Sequence, residues 1–298
     1  MTRDCLLIRA TDKGAQELEL AKNLEPYFGR HIYFVLDRYS EIQKDVFLSD
    51  DNVIHATGKF LHTHKIANFH KIGWQCGDIC LYAAKQKIPF YDQYWLIEPD
   101  VSFVMEDVVP FFKELSMIGD DFIGSNFGLR TEKWGWYNSM AATSKSHIFG
   151  SCFPISRFSF DAIDLLFSAR IEYFRSLGEF STQGKNRRLI ANDEAFVATV
   201  LGNSHLSCKS LCNLYPEKMK YFSSNIPIHP EELKFLNDKI VHPVCSGEKF
   251  TVKFSRIMKS NPVLAASRME DFISRLGEQV WIETTSIPIA DLKLASLN

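Results

Sequence analysis

Short apolar runs alternate with longer amphipathic stretches along the first hundred residues. Residues 5–9 (Cys-Leu-Leu-Ile-Arg) read as a short buried strand. Gly14 then introduces a segment with Leu18, Leu20, Ala21, Leu24 and Tyr27 at helical spacing, which Gly29 stops. Residues 31–37 form a second apolar run that ends in Asp37, and a third short strand falls around 53–55. Residues 73–87 predict a helix with Ile79, Cys80, Ala83 and Ala84 on its buried side. Short strands alternating with helices predict an α/β fold with a mostly parallel, doubly wound sheet flanked by helices.

The run Tyr94-Trp95-Leu96-Ile97 reads as a central strand, and Pro99 ends its ladder, so Glu98 and Asp100 sit where the strand stops. Ligands of open α/β sheets bind outside the carboxyl ends of the strands. Residues i and i+2 point to one side of a strand, so the two carboxylates can converge on one point. That pair suits a hard divalent cation that keeps positions open for diphosphate oxygens; a solvated acidic strand end is the plainer alternative.

The second half is less regular. Residues 121–126 predict a strand, followed by an aromatic loop with Trp134, Trp136 and Tyr137. Residues 149–155 lead into a helix over 159–177, and Asn192-Asp193-Glu194 opens another that runs through Leu201. Asn192 is a good N-cap, and the two carboxylates after it suit a helix's first turn. A run at 239–244 precedes a last helix over 269–280. With no repeat or low-complexity linker, the expected organisation is one domain over 1–250 with a C-terminal helical extension over 251–298.

Composition narrows the function classes. The chain has 298 residues, 46% of them hydrophobic, and a formal net charge of -2, so nothing points to nucleic-acid binding. No apolar stretch approaches the length of a membrane span or a signal segment, which sets the expectation of a cytoplasmic protein, at most at the inner face of a membrane. The seven cysteines are odd in number and scattered, as buried thiols would be.

Taken together, these features resemble glycosyltransferases of the GT-A fold, over residues 5 to 245. Such enzymes place an Asp-x-Asp or related acidic motif at the end of a central strand, and Glu98-Pro99-Asp100 is similar, with Glu in place of the first Asp. Asn192-Asp193-Glu194 resembles the later acidic motif, Val241-His242-Pro243-Val244 the late histidine of the metal and diphosphate site, and Gly150-Ser151 the loop between them. The resemblance implies a Rossmann-like sheet and transfer of a sugar from a nucleoside-diphosphate donor to a hydroxyl of a glycan or glycolipid, as in bacterial-type surface polysaccharide or glycoconjugate synthesis. It further implies a divalent cation, Mn2+ or Mg2+, held by Glu98, Asp100 and His242. Asp193 or Glu194 would act on the acceptor as base, which favours inversion. Arg9, Asp37 and Asp78, with Glu98 and Asp100, would meet the nucleotide sugar.

Trp134, Trp136 and Tyr137 could stack on acceptor sugars or pack onto the body of the protein. Lys71 and the basic loop with Lys185, Arg187 and Arg188 could meet phosphate or stay solvated, and His62, His64 and His70 read as solvated or substrate-facing. Two other classes stay open. A nucleotidyltransferase or related phosphoryl-transfer enzyme would want a fuller glycine-rich loop than Thr11-Asp12-Lys13-Gly14. A non-catalytic nucleotide-sugar-binding scaffold would keep the sheet without turnover.

Overall fold

The computed structural model describes residues 3–49, 51–144, 146–177 and 190–287. In chain order the strands are β1 (Asp4–Ala10), β2 (Ile32–Arg38), β3 (Phe47–Leu48), β4 (Val53–Thr57), β5 (Gln93–Ile97), β6 (Ser102–Val104), β7 (Phe122–Leu129), β8 (Phe149–Ser159), β9 (Cys208–Ser210) and β10 (Lys239–Val241). The helices are α1 (Ala15–Phe28), α2 (Gly58–Thr63), α3 (Ile72–Gln75), α4 (Ile79–Lys87), α5 (Val109–Ser116) and α6 (Tyr137–Ala141). They continue with α7 (Phe160–Leu177), α8 (Asp193–Gly202), α9 (Leu211–Leu214), α10 (Gly247–Ser260), α11 (Pro262–Leu276) and α12 (Glu278–Thr285).

The chain divides into two units: unit 1 is Met1–Pro99 with Val108–Pro216, and unit 2 is Asp100–Asp107 with Glu217–Asn298. The stretch from 217 to 250, expected with the domain over 1–250, groups with the C-terminal helices in unit 2.

Unit 1 is built on an eight-stranded sheet in the order β3-β4-β2-β1-β5-β8-β7-β9. Its centre is parallel, β2 and β5 flanking β1, and β4 continues the parallel set beyond β2. β8 enters antiparallel between β5 and β7. The alternation of apolar strand and helix in the sequence is this parallel core. Cys5, Leu6, Leu7 and Ile8 are fully buried, as a strand covered on both faces should be.

Two expectations for unit 1 changed in detail. The helix predicted over 73–87 is two helices, α3 and α4, interrupted at Cys76–Asp78 around Gly77. The predicted aromatic loop runs into the short helix α6 at Tyr137.

Unit 2 pairs β6 antiparallel with β10, Ser102 opposite Val241. Three helices follow, where a single one was expected over 269–280. Gly277, at φ 90°, separates α11 from α12 in a conformation that favours glycine. Phe250, Phe254, Phe272 and Trp281 form the centre of their shared core. No helix among the described residues is long and apolar enough to cross a membrane.

Candidate functional site

In unit 1, the polar residues gather at the end of the sheet where β1 and β5 stop. Arg9, next to last on β1, reaches three partners. Its Nη2 donates to the Glu98 carboxylate, and its Nη1 to Asp193 Oδ2 and the Gly73 carbonyl, each at 3.2 Å. Glu98 follows β5 directly, and its N–H donates to the Pro154 carbonyl at 2.9 Å, which anchors it beside β8. Asp193 opens α8, where Asn192 caps the helix by accepting from the Ala195 N–H at 3.1 Å. The sequence thus located Arg9, Glu98 and Asp193 separately, and the fold brings them together.

Two glycines permit this approach. A Cβ on Gly77 would lie 1.2 Å from Arg9 Nη1, and one on Gly73 would lie 1.8 Å from Asp37 Oδ2. A side chain at either position would push Arg9 or Asp37 out of its present place. Two glycines four apart at the start of a predicted helix are the sequence signal that could have flagged them. Asp37, at the end of β2, faces the same segment, and its buried Oδ1 has no hydrogen-bond partner among the described residues. Burial raises its carboxyl above the ordinary value against the pull of Arg9 and Arg38.

Asp193 is only 4% exposed. Its Oδ2 also accepts from the Gly77 N–H at 3.0 Å, and its Oδ1 from the Glu194 N–H at 2.9 Å. Burial pushes its carboxyl up to about 8, with Arg9 pulling the other way. Burial also works against the Arg9 charge, but Glu98 and Asp193 outweigh it and hold the guanidinium firmly protonated. The hydrogen-bond pattern is that of an ionised Asp193 beside a charged arginine, and desolvation makes it easier to protonate than a surface aspartate. Glu194, one residue on, is half-buried.

Asp78 requires a correction. Predicted to point into the nucleotide crevice, it is fully buried and occupied by Arg170, whose Nε and Nη2 donate to it at 2.8 and 2.7 Å. The Tyr82 hydroxyl donates to it as well, at 2.6 Å. Its carboxylate therefore braces α4 against α7 and, sealed from solvent, is out of a ligand's reach.

Trp134, Trp136 and Tyr137 are half-buried and pack against the core. The Arg130 guanidinium sits 5.6 Å from the Trp134 ring centre. Trp74, 62% exposed and 6.1 Å from Trp136, faces solvent beside them and was not singled out from the sequence. His64 packs against Phe60 and Phe167, while His62, His70 and Lys71 are exposed. The basic loop with Lys185, Arg187 and Arg188 lies outside the described residues.

Unit 2 holds Asp100 and His242. The His242 Nδ1 lies 2.6 Å from the Ser223 carbonyl, a contact that requires the proton on Nδ1. In the neutral ring Nε2 is then a bare lone pair, and it faces Asp100 Oδ1 at 3.4 Å. Oδ1 is buried and takes no hydrogen bond of ordinary geometry among the described residues. Two electron-pair donors facing each other call for a positive centre between them, either a second imidazole proton or a cation. Ligand atoms about 2.1 Å from a small divalent ion are themselves about 3 Å apart, so the pair fits such an ion. The backbone acceptor behind the imidazole is also the arrangement that orients a metal-binding histidine. Burial raises the Asp100 carboxyl, but the His242 contact and the Lys253 charge, 3.8 Å away, outweigh it and hold it below its ordinary value.

Neither a protein-family model nor a curated protein sequence matches the chain. Among solved structures, the chain is similar to the galactosyltransferase LgtC in complex with donor and acceptor sugar analogues, at 12% identity over 78% of this chain and 77% of that one, with a TM-score of 0.37. It is also similar to mouse xyloside xylosyltransferase 1, at 9% identity over 81% and 97% of the two chains (TM-score 0.36). A third likeness is to a glycosyltransferase involved in glycosylation of the major capsid of PBCV-1, at 14% identity over 62% and 73% (TM-score 0.27).

Proposed function

We propose that the protein is a glycosyltransferase that moves a sugar from a nucleoside-diphosphate donor to a hydroxyl of a glycan or glycolipid acceptor. The observation that carries the reading is the facing pair Asp100 and His242, two electron-pair donors poised for a cation just after the central strand β5. Glu98, which Arg9 holds in unit 1, is assigned to the nucleotide sugar. A divalent cation, Mn2+ or Mg2+, would neutralise charge on the departing diphosphate.

The remaining roles fall to unit 1. Arg9 holds Glu98 and Asp193 in place through its guanidinium. Asp37, which keeps an unsatisfied buried oxygen, is assigned to the hydroxyls or base of the nucleotide. Of the two candidate bases, Asp193 is almost wholly buried against Arg9 while Glu194 is half-buried, so Glu194 is assigned to the acceptor hydroxyl and Asp193 to holding Arg9. A carboxylate removing the acceptor proton during a single displacement implies inversion. The aromatic residues Trp134, Trp136 and Tyr137 are assigned to the acceptor side.

The test is mass spectrometry of a panel of nucleoside-diphosphate sugars, with and without manganese. Transfer to acceptor or hydrolysis of one donor is expected, stimulated by manganese. It should fall at least about 100-fold in Glu194→Gln, the scale of losing a positioned general base. The manganese stimulation should disappear in Asp100→Asn. Absence of both turnover and nucleoside-diphosphate binding across the panel would sink the reading. Release of pyrophosphate from nucleoside triphosphates would reassign the protein to nucleotidyl transfer.

A further inference from the structure

At the opposite end of the unit 1 sheet, where β1, β2 and β5 begin, lies a cleft of about 690 Å3. The fully buried core of β1 separates it from Arg9, since the five residue steps from Asp4 to Arg9 at ~3.3 Å each span about 17 Å. The volume falls in the range of sites for small ligands, roughly 300–1,000 Å3. None of the residues assigned above lines it.

We propose that this cleft is a second ligand site that binds carbohydrate, separate from the nucleotide-sugar centre. Three features of its wall favour that chemistry. The first is a hydrogen-bonded chain of side chains, in which the Tyr91 hydroxyl lies 2.8 Å from both His31 Nδ1 and the Tyr33 hydroxyl. Each hydroxyl can donate or accept, so the direction of the chain can reverse and its ends can meet a donor or an acceptor. Sugar hydroxyls are both.

The second feature is Phe90 at the rim, 51% exposed and 5.3 Å from the Tyr91 ring. A large exposed ring in a cleft of mixed polar and apolar lining offers a flat apolar surface to the C–H face of a pyranose. The third is the supply of planar polar side chains, Arg30 and Asn52, on the same wall. Asn52 is already fixed, because its Nδ2 donates to the Arg30 carbonyl at 3.3 Å. The Arg30 guanidinium has a fork of donors that suits paired hydroxyl oxygens. Rings for one face and forked donors for the edge match a sugar better than a wholly apolar ligand, which would leave those polar groups desolvated.

The inference goes beyond the transfer reaction, and its test does not depend on turnover. The full chain is titrated with lactose, maltotriose and chitotriose, and binding is followed by saturation-transfer NMR and calorimetry, with and without saturating uridine diphosphate. At least one saccharide should bind in both conditions. Its affinity should fall about tenfold in Phe90→Ala and in Arg30→Ala and be restored in Phe90→Trp. Both residues are exposed, so the variants should fold, and unchanged melting would verify it. Failure of all three saccharides to bind, or binding that survives both substitutions, would overturn the proposal. Displacement of the saccharide by uridine monophosphate would overturn it too, by identifying a base-stacking cleft instead.

Discussion

Arg9 sets one positive charge between two carboxylates, Glu98 and Asp193, and so leaves a local excess of negative charge at the end of the sheet. Little solvent reaches these groups to spread that charge, which is why burial raises the Asp193 carboxyl to about 8. The consequence for stability has a definite sign. The folded protein binds this proton more tightly than the unfolded chain, whose aspartate titrates near its ordinary 3.8. The contribution of Asp193 is therefore fully present below about pH 4 and is lost as the pH rises to about 8. Urea titrations across that window should show stability falling less steeply in Asp193→Asn, which cannot ionise, than in the native protein. Equal slopes would mean that the carboxylate is not destabilised by its surroundings.

At the scale of elements, the segment entering α8 is held by side chains rather than by a ladder. Gln75 Nε2 donates to the Ile190 carbonyl at 2.7 Å, and Arg170 Nη1 to the Ala191 carbonyl at 3.1 Å. The Tyr173 hydroxyl accepts from the Ala191 N–H at 2.6 Å. Arg170 is in turn fixed by Asp78 and lies 3.6 Å from the Phe196 ring centre. Removing one partner of a fully buried ion pair leaves the other uncompensated, at a cost of about 3–5 kcal/mol. Asp78→Ala should lose that much in chemical denaturation while nucleoside-diphosphate affinity in the folded protein stays within about twofold, well under the tenfold that 1.4 kcal/mol would produce. Unchanged stability with lost affinity would return Asp78 to the ligand-contacting role first expected of it.

The contrast between Asp78 and Asn192 shows what the sequence could reveal. The cap at Asn192 is a local device, and residue type plus the apolar run after it located the helix start. Asp78 was misread because its partner, Arg170, lies 92 residues away, a separation that no periodicity encodes. The insertion of β8 between β5 and β7 was hidden for the same reason. The helix α10 is a different case. Phe250, Phe254 and Ile257 recur at helical spacing and are its buried residues, so the signal was present, but the stretch was given only to a helical extension from 251 onward, without this helix's own bounds. The Glu98-Pro99-Asp100 segment was legible as a strand end. The orientation of His242 was not, because it depends on the Ser223 carbonyl.

At the scale of the molecule, each unit carries its own buried ionic lock. In unit 2 the lock is Glu232, fully buried, which accepts from Arg268 Nη2, with Arg275 Nη1 at 3.7 Å. Arg268 Nε also donates to the Pro227 carbonyl at 3.1 Å, so the arginine ties the 3-10 turn Pro230–Phe235 and its approach to α11. Arg268→Ala should cost about 3–5 kcal/mol. Trp281 is the single tryptophan of unit 2 and fully buried, so the difference between native and Trp281→Phe fluorescence isolates that unit. Earlier denaturant quenching of that difference signal is expected in the variant; coincident curves for variant and native protein would count against the lock.

Unit 2 is also assembled from two separate stretches of chain, because β6 pairs with β10 some 135 residues later. During synthesis, at ~5–20 residues per second, β6 must wait roughly 7 to 27 s for its partner strand to be made. Asp100 waits with it, since His242 follows directly on β10. The proposed cation pair can thus form only once residue 242 has been made, and a chain truncated before it would have its strand-end acid but not its histidine.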